Sequence, residues 1–222
     1  DPIPALPAVN VVDSLTLNGV LSGNGALSKG GAGTLVLTGG NTFTGGTTLG
    51  AGIVSINSST SLGDTAAPVT FAGGTLQLAA PLSGIIRSYQ VAGANNARID
   101  TNGNDFGYDG VISPFNGATG GLNKLGAGRL TLTAAQTYTG TTTVTGGILE
   151  FATGSSVSGT ANVQGGLLSV TGGSITSTAE SSVASAGLSV SSGSVAFNGG
   201  LRGNYDNPSS NIFINLTGGT FT

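Results

Sequence analysis

The sequence predicts an all-β fold of the solenoid type, a stack of short-stranded coils, on three observations. The first is a recurring phrase: glycine, any residue, then two large apolar residues separated by one more. It reads Gly33-Thr34-Leu35-Val36-Leu37, Gly52-Ile53-Val54-Ser55-Ile56, Gly74-Thr75-Leu76-Gln77-Leu78, Gly128-Arg129-Leu130-Thr131-Leu132, Gly147-Ile148-Leu149-Glu150-Phe151, Gly166-Leu167-Leu168-Ser169-Val170 and Gly193-Ser194-Val195-Ala196-Phe197. The second is spacing. Successive phrase glycines stand 19, 22, 54, 19, 19 and 27 residues apart, and a unit of about 20 residues with one short strand is the period of a solenoid. The third is composition: 222 residues with 41 Gly and 38% apolar residues but only 7% charged, far below the roughly 25% of ordinary domains. Disorder pairs low hydrophobicity with high charge; this chain has neither.

Each phrase is read as one strand. Period-2 alternation sends its third and fifth residues to one face and leaves the fourth facing water. The predicted core therefore runs from Leu35 and Leu37 through Val54, Ile56, Leu76, Leu78, Leu130, Leu132, Leu149, Phe151, Leu168 and Val170 to Val195 and Phe197. An internal duplication fixes the inward face. Lys29 to Ile56 matches Lys124 to Phe151 at a constant offset of 95, and between the two copies Thr34 becomes Arg129 while Leu35 and Leu37 return as Leu130 and Leu132. A lone buried arginine would be costly, so the leucines point in. Phe43 returns as Tyr138, which predicts a large ring with its edge near solvent. Gly19-Val20-Leu21-Ser22 matches Gly110-Val111-Ile112-Ser113 at offset 91, placing an insertion of about four residues near Pro114-Phe115-Asn116-Gly117. No segment carries a helical pattern of useful length.

Residues 1–8, with three prolines, are predicted to be an extended N-terminal segment that cannot donate ladder bonds. Residues 9–222 are predicted to form a single solenoid domain, with two longer repeat copies at about 19–80 and 110–170 and a degenerate C-terminal part. About ten or eleven coils follow, a rod on the order of 50 Å long.

The run Lys29-Gly30-Gly31-Ala32-Gly33-Thr34-Leu35-Val36-Leu37-Thr38-Gly39-Gly40-Asn41-Thr42-Phe43-Thr44-Gly45, with Gly52 to Ile56 behind it, resembles the autotransporter-associated β-strand repeat (passenger-associated repeat) of bacterial secreted and surface passengers. Lys124 through Tyr138-Thr139-Gly140 to Phe151 resembles it equally. The resemblance implies a right-handed parallel β-helix, exported and displayed outside a bacterial cell. It implies no reaction, because the repeat is a scaffold.

Chemistry is sparse. The chain has no His and no Cys, so His-activated nucleophiles and thiolate metal sites are excluded. Of the carboxylates, Asp13, Asp64, Glu150 and Glu180 are isolated. Asp100, Asp105 and Asp109 with Arg98 make the one cluster, a candidate polysaccharide-cleaving site, weighed against the reading that Asp and Asn here form turns. Asp100 to Asp105 has some of the acid spacing of a calcium loop, but Asp105 and Val111 stand where Gly and Glu are required. No catalytic residue, metal ligand or cofactor is therefore expected, and the chain is read as not an enzyme. A net charge of −3 with scattered basic residues argues against nucleic acid, and no apolar run approaches the roughly 20 residues of a membrane helix.

Two readings of function remain. The first is an extracellular structural rod: stalk, matrix component or self-assembling fibre. The alternative is an adhesin binding glycans or host surfaces, with Tyr89, Phe106, Tyr108, Phe115 and Tyr205 as candidate exposed rings. Self-association is expected at the ends, through Ile212, Ile214, Leu216 and Phe221 on one side and Val9, Val11 and Leu15 on the other, since these strands lack the charges that blunt exposed edges.

Overall fold

A computed structural model describes residues 9–184, 186–203 and 213–222, and among them every strand pairing is parallel. The chain winds through three faces. The first holds Val9–Asn10, Leu27–Gly30, Thr47–Leu49, Val69–Phe71, Tyr89–Ala92 and Ile112–Phe115. The second runs through ten strands: Ser14–Leu17, Thr34–Leu37, Ile53–Ile56, Thr75–Leu78, Ala97–Asp100, Leu122–Leu125, Thr142–Val144, Ala161–Val163, Ser181–Val183 and Leu201–Gly203. The third stacks Leu82–Ile85, Phe106–Tyr108, Arg129–Leu132, Ile148–Ala152, Leu167–Ser177, Gly187–Phe197 and Phe213–Leu216. Ten strands on one face mean ten coils, about 43 Å of stack at the ~4.8 Å strand spacing. The fold is a parallel β-helix, and among the described residues the only helical turn is a short 3₁₀ segment, Ser59–Leu62.

All fourteen predicted core residues are buried. Fully burying one such side chain contributes about 1.5–3 kcal/mol, and because like positions stack in register the apolar interior is continuous from coil to coil. The phrase itself has a property its sequence conceals. Its first three copies lie on the second face and its last four on the third. The 54-residue gap between Gly74 and Gly128 is thus two coils plus a step round the corner.

The first face ends at Ile112–Phe115, whose far side has no partner strand. Ile112 turns its N–H and carbonyl to that open side, where they meet the Gln136 side chain and the N–H groups of Thr137 and Tyr138. Two residues on, Pro114 faces the same way and has no N–H to leave unpaired, so a proline is tolerated there. The predicted insertion is therefore strand at Pro114 and Phe115, and the turn falls at Asn116-Gly117, both with positive φ, closed by the Ala118 N–H donating to the Phe115 carbonyl. Beyond this coil the third-face strands Leu167–Ser177 and Gly187–Phe197 lengthen to eleven residues each and bend at irregular register, which replaces the lost face.

Candidate functional site

The residues that the duplication repeats occupy matching places in two corners. In the first copy, Leu27–Gly30 on the first face turns through 31–33 into Thr34–Leu37 on the second. In the second copy, Leu122–Leu125 on the second face turns through 126–128 into Arg129–Leu132 on the third. A lysine fills each corner from within. Lys29 is buried, and its Nζ donates to the carbonyls of Gly30 (2.6 Å), Gly31 (2.8 Å) and Ala51 (3.1 Å). Lys124, equally buried, donates to Thr101 Oγ1 (2.8 Å) and to the carbonyls of Leu125 (2.8 Å), Gly126 (2.8 Å) and Gly146 (3.1 Å). Tight corners turn carbonyls inward, and while Gly30 and Leu125 also accept from a backbone N–H of a neighbouring coil, an ammonium with three donors is the compact way to satisfy the others. Burial lowers the pKa of both lysines, that of Lys124 to about 8 although Asp100 opposes the shift.

The coil above must pass close over the same corner. Gly52 and Gly147 both sit at φ 63°, and a Cβ at either would strike the carbonyl of the glycine beneath, Gly33 or Gly128. The next repeated position is an amide that ties neighbouring coils together. Asn41 accepts from the Leu21 N–H (2.8 Å) and donates to the Ser61 carbonyl (2.6 Å); Gln136 accepts from the Ile112 N–H (2.8 Å) and donates to the carbonyls of Ala134 (2.6 Å) and Gly110 (3.3 Å). The ring two residues later is buried in both copies. Tyr138 thus departs from the expectation of an edge near solvent: its hydroxyl lies inside, 2.6 Å from Thr142 Oγ1, and burial raises its pKa.

Residues 27–56 and 122–151 match the passenger-associated-transport-repeat family. The chain carries this repeat twice. No curated protein and no solved structure matches it significantly. The features the two copies share serve their own coils: a lysine for the corner, a glycine for the crossing strand, an amide for the neighbouring turns and a ring for the interior.

The acidic cluster resolves into separate turn contacts. Asp100 accepts from the Asn102 N–H (2.9 Å) and from Gln77 Nε2 (2.9 Å), Asp105 from the Arg129 N–H (3.0 Å), and Asp109 from Thr133 Oγ1 (2.6 Å). Among the described residues no three acidic side chains come close enough to share a metal ion. Asp64 likewise accepts from the Ala66 N–H, and Glu150 faces outward in an ion pair with Arg129 at 2.8 Å. Glu180 pairs with Arg202.

The predicted exposed rings are mostly internal. Tyr89, Phe106 and Tyr108 are buried, with Tyr89 stacked on Tyr108 at a ring separation of 4.5 Å and edge-on to Phe71 at 5.5 Å. The Tyr108 hydroxyl lies 2.9 Å from the Arg87 carbonyl and 3.0 Å from that of Val111. Their segments lack the glycine phrase and are rich in Gly, Asn and Asp, which reads as loop; the alternation Tyr89-Gln90-Val91 and Phe106-Gly107-Tyr108 was the signal for strand. Phe115 is exposed as expected, and Tyr205 lies outside the described residues. Of the residues expected at the ends, Ile214, Leu216, Phe221 and Leu15 are exposed, while Ile212 lies outside the described residues. Val11 is instead buried, bonded through its N–H to Gly30 and through its carbonyl to Gly33, and Val9 is partly buried against the core. The neighbouring coil already occupies them.

Sequence reasoning also missed Arg87. Buried and without an acidic ion-pair partner among the described residues, it gathers the carbonyls of Ser59, Leu62, Gly63 and Ala67 at 2.7–3.2 Å and so pins the loop of residues 57–68 against the next coil. Burial lowers its pKa, with Tyr89 and Asp64 opposing.

Proposed function

We propose that this chain is a non-catalytic structural β-solenoid of the autotransporter-passenger type, a stiff segment of a stalk, matrix or fibre outside the bacterial cell. One observation carries the reading: the groups that could perform acid–base chemistry are bonded into coil-to-coil contacts. Lys29, Lys124 and Arg87 hold inward carbonyls, and Asp105 and Asp109 each bond to the following coil. A general acid or base needs a proton-transfer partner in a cleft, whereas the buried cations face their own backbone and the two aspartates a neighbouring turn. The passenger-associated repeat supports secretion or surface display. Incubation of the purified protein with pectins and alginates, with and without calcium, should release no new reducing ends or unsaturated products. Turnover abolished by Asp105→Asn would overturn the reading.

We also propose end-to-end association with a further solenoid coil. Ile214, Leu216 and Phe221 leave 47%, 52% and 37% of their surface exposed on the last described coil, and an apolar parallel edge is a template for another strand. Light scattering across a concentration series should reveal growth of particle size, and Ile214→Lys should stop it. A monomer that persists at millimolar concentration would sink self-association.

A further inference from the structure

The corners joining the first face to the second change in length along the rod. They take three residues at 50–52 and 72–74, four at 93–96 and six at 116–121. Beside these corners four successive coils line a groove of about 540 Å³ whose polar lining is Thr75, Asn95, Asn96, Arg98 and Asn123. Glycine at position 73 in its floor keeps the groove free of a side chain there.

Arg98 is the basic residue that the fold does not use up. Of the six in the chain, Lys29, Lys124 and Arg87 are buried on carbonyls, and Arg129 and Arg202 are paired with glutamates. Arg98 donates through Nε to Thr75 Oγ1 (3.2 Å) and has no carboxylate within ion-pair reach among the described residues. Its strand neighbour Asp100 is held by Gln77 and Asn102. Neither terminal nitrogen of the guanidinium donates to a described residue, and Arg98 lines the groove.

The amides beside it are fixed in place. Asn96 Oδ1 accepts from the Gly121 N–H at 2.7 Å, Asn96 Nδ2 faces Asn123 Oδ1 at 3.5 Å, and Asn95 Nδ2 donates to the Ala92 carbonyl at 2.9 Å. Left over are an acceptor, Asn95 Oδ1, and a donor, Asn123 Nδ2. A planar cationic fork matches a carboxylate in two-pronged fashion, and mixed amide donors and acceptors match hydroxyl groups, which both give and take hydrogen bonds. The volume lies within the roughly 300–1,000 Å³ of small-ligand sites. Only Ile53 brings an aliphatic side chain to the wall, which disfavours an apolar peptide.

We propose that this groove binds an acidic saccharide, with its carboxylate on Arg98 and its hydroxyls on Asn95, Asn123 and Thr75. The site goes beyond the rod reading and does not depend on it. It also differs from the aromatic platform anticipated for a glycan binder, since its selectivity comes from charge and amides.

Calorimetric titration of the full chain tests it, with a galacturonic acid trisaccharide as probe. Its methyl-esterified form, sodium acetate and inorganic phosphate are titrated in parallel. The acid should bind saturably and the ester at least about tenfold more weakly, the loss of one charge-assisted fork. Arg98→Gln should weaken the acid by a similar factor while leaving the thermal midpoint unchanged, and Asn123→Asp, which sets a like charge against the ligand, should do the same. No saturable binding up to millimolar probe, parity between acid and ester, or wild-type affinity in both variants would overturn the proposal. Acetate or phosphate binding as tightly as the trisaccharide would overturn it as well, leaving only a site for small anions.

Discussion

Lys29 and Lys124 hold equivalent positions in two different corners of the solenoid. Lys29 closes the turn from the first face to the second, Lys124 the turn from the second to the third, and each ammonium donates to carbonyls of its own coil and of the next. The repeat is therefore a corner module, two strands and the angle between them over two coils. It is set into two different corners of the rod, so that its offset of 95 residues amounts to four coils and one face.

Lys124→Met keeps the length of the side chain but leaves the carbonyls of Gly126 and Gly146 without their donor, while that of Leu125 keeps the Thr101 N–H. Each such buried acceptor costs about 1–3 kcal/mol, partly offset by removal of a buried charge. A net loss of about 2 kcal/mol in urea unfolding is expected for it and for Lys29→Met. An unchanged midpoint in both would show that water reaches these corners.

Stability should pass through a maximum near pH 10. Lys124 titrates at about 8 in the folded chain against 10.5 when free, so the penalty for its buried charge is complete below pH 8 and fades as pH rises toward 10.5. Lys29 shifts in the same sense. Tyr89, Tyr108 and Tyr138 are raised by burial. What they contribute is intact below their ordinary value near 10 and is lost above it, at about 1.4 kcal/mol per pH unit for each ring. Urea midpoints from pH 7 to 11 should rise and then fall steeply; in Lys124→Met the rise should shrink and the fall remain.

The inward face was legible because Arg129 stands where Thr34 does while the leucines beside both stay put. Period-2 patterning sufficed for every strand with the glycine phrase. It did not distinguish the second face from the third, since both present the same alternation to the same core. The internal positions of Tyr108 and Arg87 were hidden for another reason: each bonds to backbone carbonyls 20 or more residues away, and carbonyls leave no signature in side-chain identity; Tyr89 packs on the rings of Phe71 and Tyr108. The groove at Arg98 gathers residues of four successive coils, a juxtaposition seen only after the strand register is fixed.

Leu132→Asp and Thr131→Asp should separate clearly. Leu132 is fully buried, and an unpaired carboxylate there should cost several kcal/mol, on the order of 4 or more. Thr131 faces outward, yet its hydroxyl donates to Glu150 Oε2 at 3.1 Å, so Thr131→Asp sets two carboxylates together and should cost about 1 kcal/mol. Equal thermal shifts would contradict the assignment of faces.

Glu150 should make the rod weakly acid-sensitive. Burial pushes its pKa up, but hydrogen bonds from Thr171, Thr131 and Arg129 and the charge of Arg129 outweigh that and leave it lowered. Its contribution is present above the ordinary carboxylate value near 4.3 and is lost as pH falls through the lowered one. Because Arg129 is well exposed, the effect should stay within about 1 kcal/mol. Chemical denaturation at pH 3 and pH 6, compared with Glu150→Gln, should show the difference disappearing at the lower pH.

Gln136→Leu should cost more than its small change in volume suggests. The amide takes the Ile112 N–H and serves the carbonyls of Ala134 and Gly110 at the place where the first face loses its ladder partner. Leucine fills the space but strands a buried donor and at least one acceptor, about 2–3 kcal/mol. Gln136→Asn imitates the other copy, in which Asn41 bridges its neighbours. It is one methylene shorter, so it should recover part of the loss and not all of it. Hydrogen exchange at the Ile112 amide separates this local role from a general one: exchange should accelerate strongly in Gln136→Leu and less in Gln136→Asn. Protection of that amide unchanged in both variants would mean that some other acceptor, and not this side chain, ends the first face.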